Sequence, residues 1–225
     1  MHTDEIIALI PAYNAEPFVG QVIEAAAKHV PVLVVNDGSK DRTLEIARAT
    51  SARVVDQQPN QGKGAALQRG FREALALGVT AVITLDADGQ HDPGEIPLFV
   101  ERFQQTKADL IIGERDFSRM PLVRRVSNTV GRHSFSWAIG RKIRDNQSGY
   151  RLLSRRLMEV LLENPEKGFE FEMDMIVKCV KRGWPVAGVP IATIYGEEKS
   201  NIKPVDHVVH FFRMVRDTRR AMRLT

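Results

Sequence analysis

The sequence predicts an α/β fold in which a mostly parallel β-sheet is flanked by helices. Three observations predict it. Short apolar runs alternate with helical patterns through the first half of the chain. The runs are apolar throughout rather than alternating, as strands buried on both faces are. Four of them lead into polar loops bearing glycine or acid, and in a parallel sheet such loops collect on one rim, where ligands bind. A length of 225 residues suits a single domain with one continuous core.

The elements follow in order. Ile6-Ile7-Ala8-Leu9-Ile10 reads as a buried strand that leads into Pro11-Ala12-Tyr13-Asn14, followed by a helix near Phe18 to Lys28. Val32 to Val35 is a second strand leading into Asn36-Asp37-Gly38-Ser39, and Asp41 to Ala49 a second helix. Arg53-Val54-Val55 is a third strand, and Ala65 to Leu77 a helix stopped by Gly78. Ala81 to Leu85 is a fourth strand, leading into Asp86-Ala87-Asp88-Gly89-Gln90. Ile96 to Gln105 is a helix, and Asp109 to Ile112 a fifth strand that leads into Gly113-Glu114-Arg115.

Beyond Arg115 the pattern changes. Leu122, Val126 and Val130 recur at helical spacing, Glu170 to Lys181 reads as another helix, and Val186 to Tyr195 as one or two short strands around Pro190. Asp206 to Met222 is expected to be an amphipathic helix, with Val208, Phe211, Phe212 and Val215 opposite Arg213, Arg216, Arg219 and Arg220. No repeat, low-complexity tract or linker divides the chain. Residues 1–225 are therefore expected to form one domain, with a ligand-binding rim in 1–114 and a second half in 115–225.

Composition narrows the class. Net charge is only +4, but residues 115–156 hold eleven Lys/Arg against two acids, Asp116 and Asp145. Such segregation suits an anionic partner or a solvated basic surface. The single cysteine, Cys179, excludes an internal disulfide and suits a reducing, cytoplasmic setting. The first residues lack a basic segment followed by an apolar run, so no signal peptide is expected. No uncharged apolar stretch reaches the roughly 18 to 20 residues that span a bilayer.

The chemistry-bearing residues lie in the loops. Asp86 and Asp88, two apart directly after a strand, can both reach one Mg²⁺ or Mn²⁺, hard ions that prefer oxygen ligands. Such an ion bridges nucleotide phosphates and stabilises a departing diphosphate. Gln90 can add a neutral oxygen, and His91 can either ligate or cap the following turn. Asp37 can accept hydrogen bonds from a ribose or a base, while Gly38 and Ser39 fit a turn with an N-cap. Asn60-Gln61-Gly62-Lys63-Gly64 before a helix is similar to a phosphate cradle without the spacing of a Walker A loop.

These segments, in this order and spacing, resemble family 2 glycosyltransferases, most of all the dolichol-phosphate mannosyltransferase type. Later segments carry the resemblance across nearly the whole chain: Gly113-Glu114-Arg115, Asp145 to Arg151, Lys167 to Phe171 and Tyr195 to Ser200. The resemblance implies a GT-A fold with residues 1–114 binding nucleotide and 115–225 the acceptor. It implies that Pro11, Tyr13, Asn14, Asp37, Lys63 and Asp86 line a nucleotide pocket. The family's usual acid sits one position late, at Glu16, which joins that set. Asp88 and Gln90 would hold the metal with Asp86 beside them. Arg115, Arg151, Lys199 and Ser200 would face phosphates of the donor or of a phosphorylated acceptor.

The implied reaction inverts configuration by direct displacement, with Asp88 and Arg115 serving the leaving nucleotide, a UDP or GDP. A lipid-phosphate acceptor is already an anion and needs no general base. A hydroxyl acceptor needs one, and Glu172 and Asp174 are the candidates, although acids in a first helical turn are also favoured by the helix dipole. Arg119, Arg124, Arg125, Arg132 and Arg141, interleaved with Phe117, Leu122, Phe135 and Trp137, fit peripheral contact with an anionic membrane or packing on the domain itself. A polyprenyl-phosphate acceptor at the cytoplasmic face is the favoured expectation. A nucleotidyltransferase would carry a glycine-rich basic loop after its first strand instead. No nucleic-acid partner is expected, because zinc-finger and RNA-binding signatures are lacking and the strand-end acids repel phosphates.

Overall fold

The computed structural model describes residues 6–119, 122–164, 170–192, 215–220 and 222. Seven strands form one sheet: β1 Ile6–Ala12, β2 Val32–Asp37, β3 Arg53–Gln57, β4 Ala81–Thr84, β5 Leu110–Arg115, β6 Arg151–Ser154 and β7 Val186–Ile191. Their helices are α1 Val19–Ala27, α2 Thr43–Arg48, α3 Lys63–Ala76, α4 Ile96–Thr106, α5 Leu122–Ile139, α6 Arg155–Leu161 and α7 Glu170–Lys181.

The strand order is β3-β2-β1-β4-β6-β5-β7. β1 pairs in parallel with β2 and β4, β2 with β3, and β5 with β7. β6 runs antiparallel between β4 and β5. The mostly parallel α/β fold read from the sequence is thus present, with one reversed strand inside it. β6 and α6 were not legible: only Leu152-Leu153 are apolar between Arg151 and Ser154-Arg155-Arg156, too short a run to signal a strand. Ser154 ends β6 and starts α6, its hydroxyl accepting from the Leu157 N–H at 3.4 Å.

Four strands extend further than their apolar runs: β3 continues through Asp56 and Gln57, and three others reach into the loops of the rim. Pro11 and Ala12 belong to β1, Asn36 and Asp37 to β2, and Gly113 to Arg115 to β5. Pairing with a neighbour, Gly113 on Val189 and Asp37 on Gln57 for example, overrides the polar side chains there. Pro190 lies in β7, which among the described residues pairs with β5 alone, an edge position of the kind that tolerates proline.

Burial is two-sided. Ile6, Ala8 and Ile10 join α1 and α4 in a cluster on one face, while Ile7 and Leu9 join α3, α6 and α7 on the other. Alternation along β1 serves both faces, which is why the strand reads as an unbroken apolar run. Because the parallel strands all end on one edge, the loops after β1, β2, β4 and β5 meet there. Reversed β6 sends its preceding loop, residues 145–150, to the same edge.

Among the described residues no helix is long and apolar enough to cross a membrane. Residues 215–220 and 222 of the expected C-terminal helix are helical, and the rest of it lies outside the described residues.

Candidate active site

The first two loops are tied together before they touch anything else. Asn14, at φ 49°, donates its N–H to the Ser39 hydroxyl at 3.1 Å and accepts from the Lys40 N–H at 2.8 Å. Ser39 is engaged in this link, and at the start of α2 Asp41 accepts from the Thr43 N–H and hydroxyl. Gly38 is required between them. Its φ is +68°, and a Cβ there would lie 2.5 Å from the Asn60 nitrogen.

Asp37 organises the third loop. Its Oδ1 accepts from Gln57 Nε2 at 2.7 Å and the Gln61 N–H at 2.9 Å, and its Oδ2 from Asn60 Nδ2 at 3.0 Å and the Gly62 N–H at 2.8 Å. Those four bonds fill the lone-pair positions of a carboxylate. Asp37 borders the cleft, yet its hydrogen bonds fix the 60–62 turn and leave the base or ribose no vacant position on it. The Asn60–Gly64 segment is legible in the sequence, but its attachment to Asp37 is not.

Lys63 opens α3 and carries the site's central ion pairs. Its ammonium lies 2.5 Å from Asp86 Oδ1 and 2.7 Å from Glu172 Oε1. Burial pushes the Asp86 carboxyl up, but Lys63, with His91 and Arg115 behind it, outweighs that and holds it down at about 2. Burial lowers the affinity of Lys63 for its proton, and Asp86 and Glu172 more than reverse this, so it stays protonated. His91 settles into the turn role: its Nδ1 accepts the Asp86 N–H at 3.2 Å, and its ring packs on Tyr150. Burial depresses its pKa against the pull of Asp86. Asp88 accepts the Gln90 N–H at 2.9 Å, and Gln90 itself does not line the cleft.

These loops enclose a cleft of about 570 Å³, bordered by Pro11, Tyr13, Asn14, Asp37, Lys63, Asp86 and Asp88, with Phe18 and Ala66 as apolar walls. Gly149, from the loop before β6, lies against the Lys63–Asp86 pair. A Cβ there would fall 2.8 Å from Asp86 Oδ2 and 3.0 Å from Lys63 Nζ. Of the acids expected at the site, Glu16 stands apart: its carboxylate accepts the Arg42 N–H, and it does not border the cleft. The shift of one position turns it toward the start of α2.

A second groove of about 1180 Å³ is lined by Arg115, Arg125, Arg132, Lys142 and Arg144 against two acids, Glu114 and Asp116, with Val126, Val130, Ile143 and Ile191. Arg115 grips Asp145 through Nε at 2.7 Å and Nη2 at 3.0 Å. Asp145 also accepts from the N–H groups of Gln147 and Ser148, which shapes the loop over the cleft. Arg151 does not face a phosphate. It is fully buried, and its guanidinium donates to the carbonyls of Ser148, Asn146 and Glu172. A long cation at the start of an interior strand serves here as a backbone clamp. Asp174 pairs with Lys178 at 3.4 Å on α7 and lines neither cavity. Lys199 and Ser200, with 167–169 and 195–198, lie outside the described residues.

Two carboxylates on one wall are a hard-oxygen donor pair. Among the described residues no cluster of three His, Cys, Asp or Glu could cage a metal. The pair therefore fits an ion that takes one or two carboxylates and completes its shell from phosphate oxygens and water.

The family described as Glycosyl transferase family 2 matches residues 7–162. The chain is a family 2 glycosyltransferase. The transferase is 29% identical over 218 residues to the UDP-N-acetylglucosamine–dolichyl-phosphate N-acetylglucosaminyltransferase of Methanococcus voltae, covering 85% of this chain and 86% of that one. It is 30% identical over 210 residues to the undecaprenyl-phosphate mannosyltransferase of Micrococcus luteus, covering 85% and 84%. Its fold matches glucosyl-3-phosphoglycerate synthase from Mycobacterium tuberculosis, solved with Mn²⁺, UDP-glucose and phosphoglyceric acid, at a TM-score of 0.73 and 23% identity, covering 95% and 77%. The GT-A architecture expected of the transferase is the one it has.

Proposed function

We propose that the transferase moves a sugar from a UDP- or GDP-linked donor to a polyprenyl phosphate, with inversion, in peripheral contact with an anionic membrane surface. One observation carries this: Arg115, which lines a basic and apolar groove, acts electrostatically on Asp86 of an acid-and-lysine cleft large enough for a nucleotide. The cleft offers Lys63 to a diphosphate, and Tyr13 and Phe18 offer apolar surface to a base. The groove offers arginines to an acceptor phosphate and Val126, Val130 and Ile143 to a lipid stem. The polyprenyl- and dolichyl-phosphate relatives support the same acceptor class.

Asp86 and Asp88 would hold a Mg²⁺ or Mn²⁺ ion, which supplies neutralisation of the departing diphosphate. The chain's own groups do the rest. Lys63 binds the diphosphate, Arg115 spreads positive potential to both substrates, and the 145–150 loop keeps water from one flank. A phosphate acceptor arrives ionised and needs no base. A hydroxyl acceptor draws less support, because Glu172 lies behind Lys63 and Asp174 pairs along its own helix.

The test is a thermal-shift panel of UDP- and GDP-sugars with Mg²⁺ or Mn²⁺, followed by transfer to a polyprenyl phosphate. Stabilisation with one base, enhanced by metal and reduced to the metal-free level in Asp88→Ala, is expected. No stabilisation by any donor, or transfer to simple hydroxyls alone, would overturn the proposal.

A further inference from the structure

Lys63 stands where a lone lysine is disfavoured. It is the first residue of α3, and a helix N-terminus carries partial positive charge that opposes an ammonium. Two carboxylates from distant elements reverse that preference, Asp86 after β4 and Glu172 in the first turn of α7. The two differ in access. Asp86 and Lys63 line the cleft, whereas Glu172 is only 5% exposed, does not line it, and reaches it through the lysine. Its helix turn is pinned, since Arg151 donates to the Glu172 carbonyl and, from the same guanidinium, to Asn146 and Ser148. Gly149 presses on the Lys63–Asp86 pair from the other flank.

Asp86 alone, at 2.5 Å, would give the ammonium a single anchor and leave it free to swing about that one contact. A second, buried carboxylate divides the lysine's charge and fixes where its nitrogen sits. The geometry points to Glu172 as a positioning residue for donor binding: it holds the Lys63 ammonium at the cleft floor, facing the donor diphosphate. This rests on the cleft being the donor site. It assigns Glu172 no proton transfer, and its contribution passes through Lys63.

The test is calorimetric titration of UDP and GDP, each with Mn²⁺, into the wild type, Glu172→Gln, Lys63→Met and the double variant. Glu172→Gln is expected to weaken the diphosphate that the wild type binds by about tenfold, as loss of a charge-assisted contact does. Lys63→Met should weaken it at least as much, and the double variant no further, since the two residues act as one unit. In turnover, donor KM should rise with kcat within about twofold.

A fall in kcat with an altered pH profile and unchanged diphosphate binding would make Glu172 a base and sink the proposal. So would additive effects in the double variant, or a lower melting temperature with unchanged binding. If Glu172→Gln fails to fold, Glu172→Asp replaces it, and the same weakening is expected from the carboxylate's retreat. A wild type that binds neither diphosphate overturns the donor-site reading together with this one; a wild type that binds one, with Glu172→Gln binding it equally, overturns the positioning role alone.

Discussion

Gly149 carries more of the site than its lack of a side chain suggests. Its backbone lies so near Asp86 and Lys63 that one methyl group must displace charged atoms paired with each other. Gly149→Ala is expected to cost about 1–3 kcal/mol, the range for forcing an extra carbon into a packed site. It should also weaken nucleotide diphosphate binding while leaving the far end of the sheet intact. Urea unfolding and calorimetric titration check this, and wild-type values in both would show that the loop yields freely. The sequence displayed Gly149 only as one letter in a segment. Asp86 and Asp88 were legible because they directly follow a buried strand, on the rim where the other polar strand-end loops converge. Asp37 was legible as important but not as saturated, because its partners lie 20 to 25 residues away and no local pattern announces them.

At the scale of elements, the join between β6 and α7 depends on a buried cation. Arg151 spans from the start of β6 to the first turn of α7 and meets three carbonyl groups on the way. Burial pulls its pKa down, opposed by Glu172 and Asp145. Arg151→Met keeps most of the volume but leaves those carbonyls unpaired, so a loss of about 3 kcal/mol or more is expected. Denaturant melts measure it, and a loss below about 1 kcal/mol would mean that water replaces the guanidinium. The repeating β-α units of the first half were readable because each strand is apolar and each helix periodic. β6 escaped notice for the opposite reason: its sheet position comes from pairing with β4 and β5, not from its own composition. Arg151 was expected to face a phosphate because the family resemblance implied it, and only tertiary structure shows that its donors are taken by backbone carbonyls.

Over the whole molecule, charge and acid response follow from the same site. His91 is buried as the neutral ring with a depressed pKa, so the unfolded chain takes up its proton first as pH falls below the ordinary value near 6.5. Stability is expected to be full above that pH and to begin declining below it. Asp86, held at about 2 against an ordinary 3.8, adds a second loss between about pH 4 and 2. Thermal melts across pH 7 to 3 test this, and His91→Gln should flatten the upper part of the curve. An unchanged upper limb in that variant would assign the acid response to other groups. The basic second half was visible from residue counts alone. Its division between a groove wall and a clamp was not, because both uses draw on the same side chain.

The reversed strand makes the continuity of the sheet depend on very few residues. β5 has no ladder to β4, and only β6 joins them. In the folded sheet residues 151–154 occupy the slot between β4 and β5, and the same short strand places Gly149 against Lys63 and Asp86. Continuity of the sheet and the setting of that ion pair therefore share one four-residue segment.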